Sequence, residues 1–252
     1  MKGVIGYVSV FVVVVLISAL VHIPASLVVK YAPLPRALQL QGVSGTLWQG
    51  SAEQVSWQRN KLGAVQWNWQ WSALLGAKAQ ATVRFGRGSD LEMRGKGVIG
   101  YGLSGAFARD LVVSIPAQQV MQTLQLPVPV AAQGQVELTV RDFQYGQPWC
   151  SAASGNLVWT PSQIGSPLGE LQLDRVMADV QCQDNVVTVN GNQNSAQVSA
   201  EFSAELNAAR RYQAKGWFKP GAEFPPRLSE QLNLLPRPDG QGRYQFTRQG
   251  RL

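Results

Sequence analysis

The sequence is poor in the residues from which most catalytic and metal sites are built. Histidine occurs once, as His22, and cysteine twice, in 252 residues. His22 lies near the outer end of an apolar N-terminal run, where an interfacial imidazole is a simpler interpretation than a functional group inside a membrane. No Ser-His-Asp or Cys-His pair is then expected in the rest of the chain, and two cysteines alone do not make a zinc site. We therefore expect no metal, no cofactor and no enzymatic activity.

Charged residues are also scarce, at 15% of the chain. The excess of 22 Lys and Arg over 15 Asp and Glu gives a net charge of +7, but the basic residues form no run interleaved with aromatics. This distribution argues against nucleic acid as a partner and favours a position near a membrane or an acidic protein surface. The acidic residues are dispersed as well, and a glycosidase pair of carboxylates is an alternative that nothing in the sequence favours.

An apolar run at the N-terminus predicts a membrane anchor. No Asp, Glu, Lys or Arg occurs in residues 3–29, and the most apolar part, residues 4–23, would span roughly 30 Å as a helix, the thickness of a bilayer core. A cleaved signal peptide, the alternative, has a shorter apolar region and a small-x-small cleavage site, which Ile23-Pro24-Ala25 matches poorly. We expect a retained single transmembrane helix, preceded by a cytoplasmic tail at 1–3 and followed by a linker at 24–37.

The two cysteines indicate that the body of the protein is exported. Cys150 and Cys182 are 32 positions apart, which is not the spacing of a redox or metal-binding motif. Two isolated cysteines in an exported domain usually pair, so we predict a disulfide between them. Two unrelated buried thiols are the alternative.

The segment AVQWNWQW, residues 64–71, predicts a half-buried strand. Its three tryptophans alternate with amides, so the rings share one face of a strand with Val65. Two interpretations of Val65, Trp67, Trp69 and Trp71 are open. They pack in the core beneath helices, or they line an apolar groove for a lipid chain or a partner strand.

Similar alternation along the rest of the chain predicts a mainly β fold. Further strands are expected at 38–50, 54–58, 79–85, 91–95, 98–107, 110–115, 134–143, 169–180, 186–190, 195–206 and 212–218. Apolar residues at helical spacing predict two short helices, one opened by Pro116 and one by Pro226.

The β-rich body is expected to contain two similar antiparallel units, residues 38–143 and 144–252, each with a short helix. SGTLW at 44–48 resembles SGNLVW at 154–159, and Gly45 and Gly155 are 110 positions apart, as are the two helix prolines. We expect the units to form a curved sheet or half-barrel with a continuous core. Coincidence among glycine-rich strands is the alternative.

Six short motifs follow one another along nearly the whole chain. They are GVSGTLWQG (42–50), LPVPV (126–130), GQVELTV (134–140), PWC (148–150), SGNLVW (154–159) and PRPDGQGRY (236–244). In this order they resemble the type II secretion system protein N family, the general secretion pathway N component. The resemblance implies a non-catalytic, single-pass inner-membrane protein with a periplasmic body. Its partners would be other type II secretion subunits, and it would aid export of folded proteins across the outer membrane.

The SGTLW element alone supports a second interpretation. It is also similar to the start of the AsmA-like proteins, which are anchored in the inner membrane and form periplasmic β-grooves. This resemblance implies a module that binds or shields lipid.

Overall fold

The structure is a computed structural model that describes residues 2–31, 35, 37–58, 60–123, 130–167 and 169–251, with the backbone alone at 2–10, 17 and 123. The strands are β1 Leu38–Gln41, β2 Ser44–Gly45, β3 Gln49–Trp57, β4 Asn60–Trp69, β5 Ala79–Arg87, β6 Arg94–Gly102, β7 Gly105–Pro116, β8 Ala131–Gln144, β9 Ala152–Ser166, β10 Gly169–Gln183, β11 Val186–Asn194, β12 Val198–Leu206, β13 Arg211–Pro220 and β14 Tyr244–Arg251. The helices are α1 Lys2–Val21, α2 Ala25–Tyr31, α3 Ala117–Thr123 and α4 Pro226–Gln231, with 3-10 turns at Trp71–Gly76 and Leu232–Leu234.

All fourteen strands belong to one antiparallel sheet. From β3 to β14 each strand pairs with the next one along the chain, and β1 and β2 both pair with the outer side of β3. The described strands at the two ends of the order, β1 and β14, do not pair with each other, so the sheet is open. This arrangement confirms the predicted mainly β, antiparallel fold.

The order of elements repeats once along the sheet. Five strands, a short helix and a sixth strand run from β3 to β8, and the same series runs from β9 to β14. The two series are joined without a break, because β8 and β9 pair from Ala131 with Gly165 to Gln144 with Ala152. The predicted division of the body at residue 143 stays a prediction.

Several predicted boundaries are wrong. The predicted strand 38–50 is interrupted twice, giving β1, β2 and the start of β3. The predicted strands 91–95, 98–107 and 110–115 form only two strands, because the hairpin turn lies at residues 103–104, where Gly105 adopts a φ of 94°. Helix α2 was not predicted, and α3 begins one residue after Pro116, which ends β7.

The largest group of buried residues lies beneath α3. It consists of Ala117, Ala132, Trp159, Leu173 and Val198, which come from α3 and from strands between β8 and β12. The buried indole of Trp159 donates its Nε1–H to the Gln133 carbonyl oxygen at 2.8 Å, so its one polar atom is satisfied. This cluster joins α3 to strands of both halves of the sheet.

Outside that cluster the sheet buries few large side chains. The protein exposes 17075 Å², whereas a compact monomer of 27.4 kDa exposes roughly 11000 Å². Among the described residues no large side chain is fully buried. The side chains of α1 from Phe11 to Leu16 are exposed and contribute to this area, as do exposed large side chains of the sheet and its turns, such as Leu75 and Leu103.

Cross-strand pairs of an aromatic residue and a glycine recur in the sheet. Each ring lies over the glycine that faces it on the neighbouring strand, at the position a side chain would occupy. The pairs are Trp67–Gly50, Phe85–Gly95, Phe107–Gly100, Phe202–Gly191, Tyr212–Gly250 and Phe246–Gly216. These pairs explain why so many strands contain glycine, which is otherwise unfavourable there.

We expect Gly191→Ala to lower the free energy of unfolding by about 1–3 kcal/mol, because the new methyl group overlaps the ring of Phe202. Urea unfolding of the full chain in detergent measures the loss. Gly76→Ala is the control, since a methyl group at Gly76 meets no atom within 4 Å. Equal stability of the two variants would contradict the proposed packing.

The N-terminal helix is followed closely by α2. His22, just after α1, donates from Nδ1 to the Ser18 carbonyl oxygen at 2.8 Å. Within the residues that the structure describes, no helix has both the length and the apolar character needed to cross a membrane.

Candidate functional site

The tryptophan-rich strand occupies the predicted position but is shorter than predicted. In β4, Val65, Trp67 and Trp69 are half-buried, while Gln66 and Asn68 between them are exposed. The strand ends at Trp69, so the prediction is wrong for residues 70–71. Trp71 begins the 3-10 turn that follows, and its side chain is 47% exposed.

Trp48 joins two of these rings into one cluster. Its ring lies 4.1 Å from that of Trp71 and 5.8 Å from that of Trp69, between ring centroids. Trp67 is held separately, by donation of its Nε1–H to the Leu47 carbonyl oxygen at 2.9 Å. The sequence pattern did not place Trp48 in this group, because it comes from the SGTLW element rather than from β4.

The same element holds the end of the N-terminal helix. Trp48 donates its Nε1–H to the carbonyl oxygen of Leu20 at 2.9 Å, and the Leu47 amide donates to Ile23 at 2.9 Å. Pro24 and Thr46 also form a bridge between the two segments. The last carbonyls of a helix have no partner within it, so these bonds cap α1 and attach it to the edge of the sheet.

Trp48→Phe is expected to weaken this attachment by about 1 kcal/mol, because it keeps the ring but removes the donor to Leu20. Hydrogen exchange of the Leu47 amide, which bonds to Ile23, should then become about five-fold faster. The control is Trp57→Phe, an exposed tryptophan at the other end of β3. An unchanged exchange rate in Trp48→Phe would show that the indole does not hold the helix.

The disulfide predicted from the two cysteines is present in the structure. Cys150 and Cys182 are bonded, and both are buried. Asn185, in the turn after β10, accepts from the amides of Trp149 and Cys150 at 3.1 Å, and its carbonyl accepts from the Trp149 indole at 3.0 Å. The PWC motif is therefore a rigid connection between the turn before β9 and the turn after β10.

An open depression of about 1200 Å³ lies beside this connection. Its lining is mixed, with Lys78, Arg109 and Asp142 beside Phe107. Both cations lie against that ring, Arg109 at 5.0 Å and Lys78 at 6.0 Å from its centroid. Among the described residues, no three His, Cys, Asp or Glu side chains are grouped so that they could hold a metal ion.

The predicted apolar residues do not line this depression. Trp67 instead borders a smaller one of about 550 Å³, whose other side chains are mostly polar, such as Gln66, Asn68 and Arg84. Trp69 and Trp71 contact Trp48, beside the bond to α1. The tryptophans thus lie at the attachment of the helix.

The last strand presents a free edge with a basic character. Among the described strands β14 pairs only with β13, and seven of its eight residues are exposed. Residues 207–252 contain nine Lys and Arg and three Asp and Glu, so they carry +6 of the net charge of +7. Sequence composition alone did not reveal this concentration as a surface, because the residues are spread over β13, β14 and the segment between them.

A turn centred on Asp239 positions the start of β14. Its carboxylate accepts from the backbone amides of Arg243 and Gln241, and from the side chains of Gln245 and Arg243. These bonds, above all the one from the Arg243 amide, hold the pKa of Asp239 well below its usual range. Since Gln245 belongs to β14, the turn connects the loop to the free edge.

The Asp239 turn is expected to persist at acid pH. A lowered carboxyl pKa in the folded state stabilises the turn above the unfolded pKa of about 4, and this contribution is lost as pH falls through the folded pKa. The Gln241 and Arg243 amides should therefore keep their hydrogen-exchange protection at pH 4, and Asp239→Asn should lower it at pH 7. Loss of protection already between pH 5 and 4 would contradict this description.

Comparison with known proteins assigns the family. The family model for type II secretion system protein N matches residues 36–247. Type II secretion system protein N of Vibrio cholerae serotype O1 is 51% identical over 252 residues, covering all of both chains. The protein of the same name from Aeromonas hydrophila is 36% identical over 247 residues, 97% of each chain.

A third relative is more distant, and solved structures add nothing to the comparison. Type II secretion system protein N of Klebsiella pneumoniae is 31% identical over 214 residues, 84% of this chain and 82% of its own. No solved structure matches the chain. The match of the family model and the full-length relatives establish that this chain belongs to the type II secretion system protein N family.

Proposed function

We propose that the protein is a non-catalytic inner-membrane component of the type II secretion system, which aids export of folded proteins across the outer membrane through contacts with other subunits. The observation that carries this proposal is the family match over residues 36–247. The open sheet supports it, because a thin sheet with a free edge and a large exposed area is suited to binding other proteins.

The location is part of the proposal. Residues 4–23 anchor the chain in the inner membrane, residues 1–3 remain in the cytoplasm, and residues 24–37 link the anchor to a periplasmic body. The apolar sequence supports the anchor, and the Cys150–Cys182 disulfide fits an oxidising compartment. The body would consist of two β units, 38–143 and 144–252.

Fractionation tests this location. The full chain should stay with the membrane after alkaline extraction, and it should migrate faster on a non-reducing gel than on a reducing one. Release by alkali would contradict the anchor, and identical migration would contradict the oxidised, periplasmic body.

The free edge of β14 is the contact surface that the geometry supports best. An exposed edge strand offers unpaired backbone N–H and C=O groups, and an extended segment of a partner can pair with them. Arg248 and Arg251 lie on this edge, within the basic C-terminal region. The partner segment should therefore be extended and acidic, since acidic side chains beside these arginines would fix its position and suppress pairing with basic strands.

A secretion assay tests the proposed role directly. Deleting the protein should reduce release of a folded exoprotein into the medium, and the full chain should restore it. Arg248→Glu with Arg251→Glu should restore it only in part, whereas the control Lys96→Glu, an exposed cation on β6, should restore it fully. Normal release in the deletion strain would contradict the proposed function.

A further inference from the structure

One end of the sheet is fixed beside α1. Strand β3 begins directly after Trp48, the residue that bonds to Leu20 of α1. Successive turns of an antiparallel meander alternate between the two ends of the strands, so the turns after β4 and β6 lie at the end where β3 begins. We call this the α1 end of the sheet.

The two turns at the α1 end expose large apolar side chains. Leu75, in the 3-10 turn after β4, is 95% exposed, and Leu103, in the turn after β6, is 94% exposed. Leu74 and Tyr101 beside them are exposed as well. The two turns are neighbours, because Gly76 and Leu103 border the same depression. We call Leu74, Leu75, Tyr101 and Leu103 the apolar rim.

The segment that follows α1 also exposes apolar and interfacial side chains. Helix α2 buries Ala25 against the sheet edge but exposes Leu27 and Tyr31, and Lys30 lies 5.7 Å from the ring of Tyr31. Tyrosine, tryptophan and lysine are the side chains that prefer the boundary between lipid and water. Trp71, half exposed between α1 and the rim, extends this character toward the turns.

The charge around the rim fits a lipid surface. The chain has no acidic residue between Glu53 and Asp90, a stretch that includes β4, Leu74 and Leu75 of the rim, and Lys78. This stretch offers no carboxylate to repel anionic headgroups, and its exposed Lys78 attracts them. Among the described residues, the only acidic side chains that line the depression beside Leu103 are Asp142 and Asp184.

We propose that the apolar rim rests on the bilayer in which α1 is anchored, with Leu75 and Leu103 inserted at the level of the headgroups. This inference depends on the anchor in the proposed function, and it adds an orientation. The strands of the first unit stand on the membrane at their α1 end, and the helices α3 and α4 lie at the far end, because both follow turns of the opposite set. The bilayer then covers side chains that would otherwise face water.

Fluorescence quenching tests the rim in the full chain. Leu103→Cys and, separately, Leu234→Cys carry an environment-sensitive fluorophore, and the protein is placed in nanodiscs of phosphatidylethanolamine and phosphatidylglycerol. Leu234 is a matched control, since it is 80% exposed and lies beyond α4 at the far end. The native cysteines are bonded to each other and do not react.

The label at position 103 should be quenched several-fold more strongly by spin-labelled lipid than the label at 234, and less strongly by iodide. Iodide quenching at 103 equal to that at 234 would overturn the proposal. Protection at 103 from both quenchers would also overturn it, because a protein surface would then cover the rim. A chain that fails to enter nanodiscs contradicts the anchor itself, whereas a chain that enters with position 103 in water contradicts only the rim.

Discussion

Trp159→Ala should lower the free energy of unfolding by about 3–5 kcal/mol. The side chain is 8% exposed at the centre of the group of buried residues beneath α3. Its removal leaves a cavity that the neighbours from several strands cannot fill together, and it frees the Gln133 carbonyl from its bond. Urea unfolding of the full chain in detergent measures the loss.

Two further variants separate the effect of the lost volume from that of the lost hydrogen bond to Gln133. Trp159→Phe keeps most of the volume and loses the indole donor, so it should cost about 1 kcal/mol. Trp57→Ala, at an exposed position, should cost less than about 1 kcal/mol. A loss in Trp159→Ala no greater than in Trp57→Ala would show that the sheet has no cooperative core at this position.

Replacing both cysteines, Cys150→Ser with Cys182→Ser, should lower the free energy of unfolding by roughly 3–4 kcal/mol. The bond closes a loop of 32 residues, and on the chain-entropy model its loss frees the unfolded chain by that amount. For a chain of this size the unfolding midpoint should fall by about 10 °C.

A reducing agent provides the matched control for the disulfide. The natural chain should lose the same stability when it is reduced, and the double variant should not respond to the reductant. An unfolding midpoint that is the same with and without the bond would mean that Asn185 and the pairing of β9 with β10 already hold the PWC turn in place.

Local patterns in the sequence predicted local structure. Alternating residues predicted β4 because the side chains of a strand point to opposite faces, whatever lies next to it. The two cysteines predicted their own pairing because the described chain has no other cysteine to compete. The strand nevertheless ends at Trp69, before the 3-10 turn that begins at Trp71, whose ring packs on that of Trp48; this contact depends on the position of a different segment.

The features that required strand register could not be predicted. The stretch 95–105 contains five glycines, so no single residue marks the turn at 103–104, and the hairpin was misplaced. Pairs such as Phe202 with Gly191 become visible only when the strands are aligned. The bond from Trp48 to Leu20 joins a side chain to a backbone carbonyl 28 residues away, and no residue type at Leu20 signals it.

The proposed function depends on contact surfaces that the sequence could not show either. The basic charge of the chain is evident from its composition, but only the fold shows that the C-terminal region, which carries +6 of it, includes a free strand edge. Likewise, the leucines at 75 and 103 are ordinary turn residues in the sequence, and the pairing of β4 to β7 places them at one end of the sheet.

Photo-crosslinking in living cells tests whether β14 is the surface that contacts other secretion components. A photoreactive amino acid replaces Gln245, Thr247 or Gln249 on β14 in turn, and the control replaces exposed Asp179 within β10. We expect the β14 positions to crosslink to another component of the secretion apparatus and position 179 not to. Absence of crosslinks at all three β14 positions, in cells that secrete normally, would contradict this expectation.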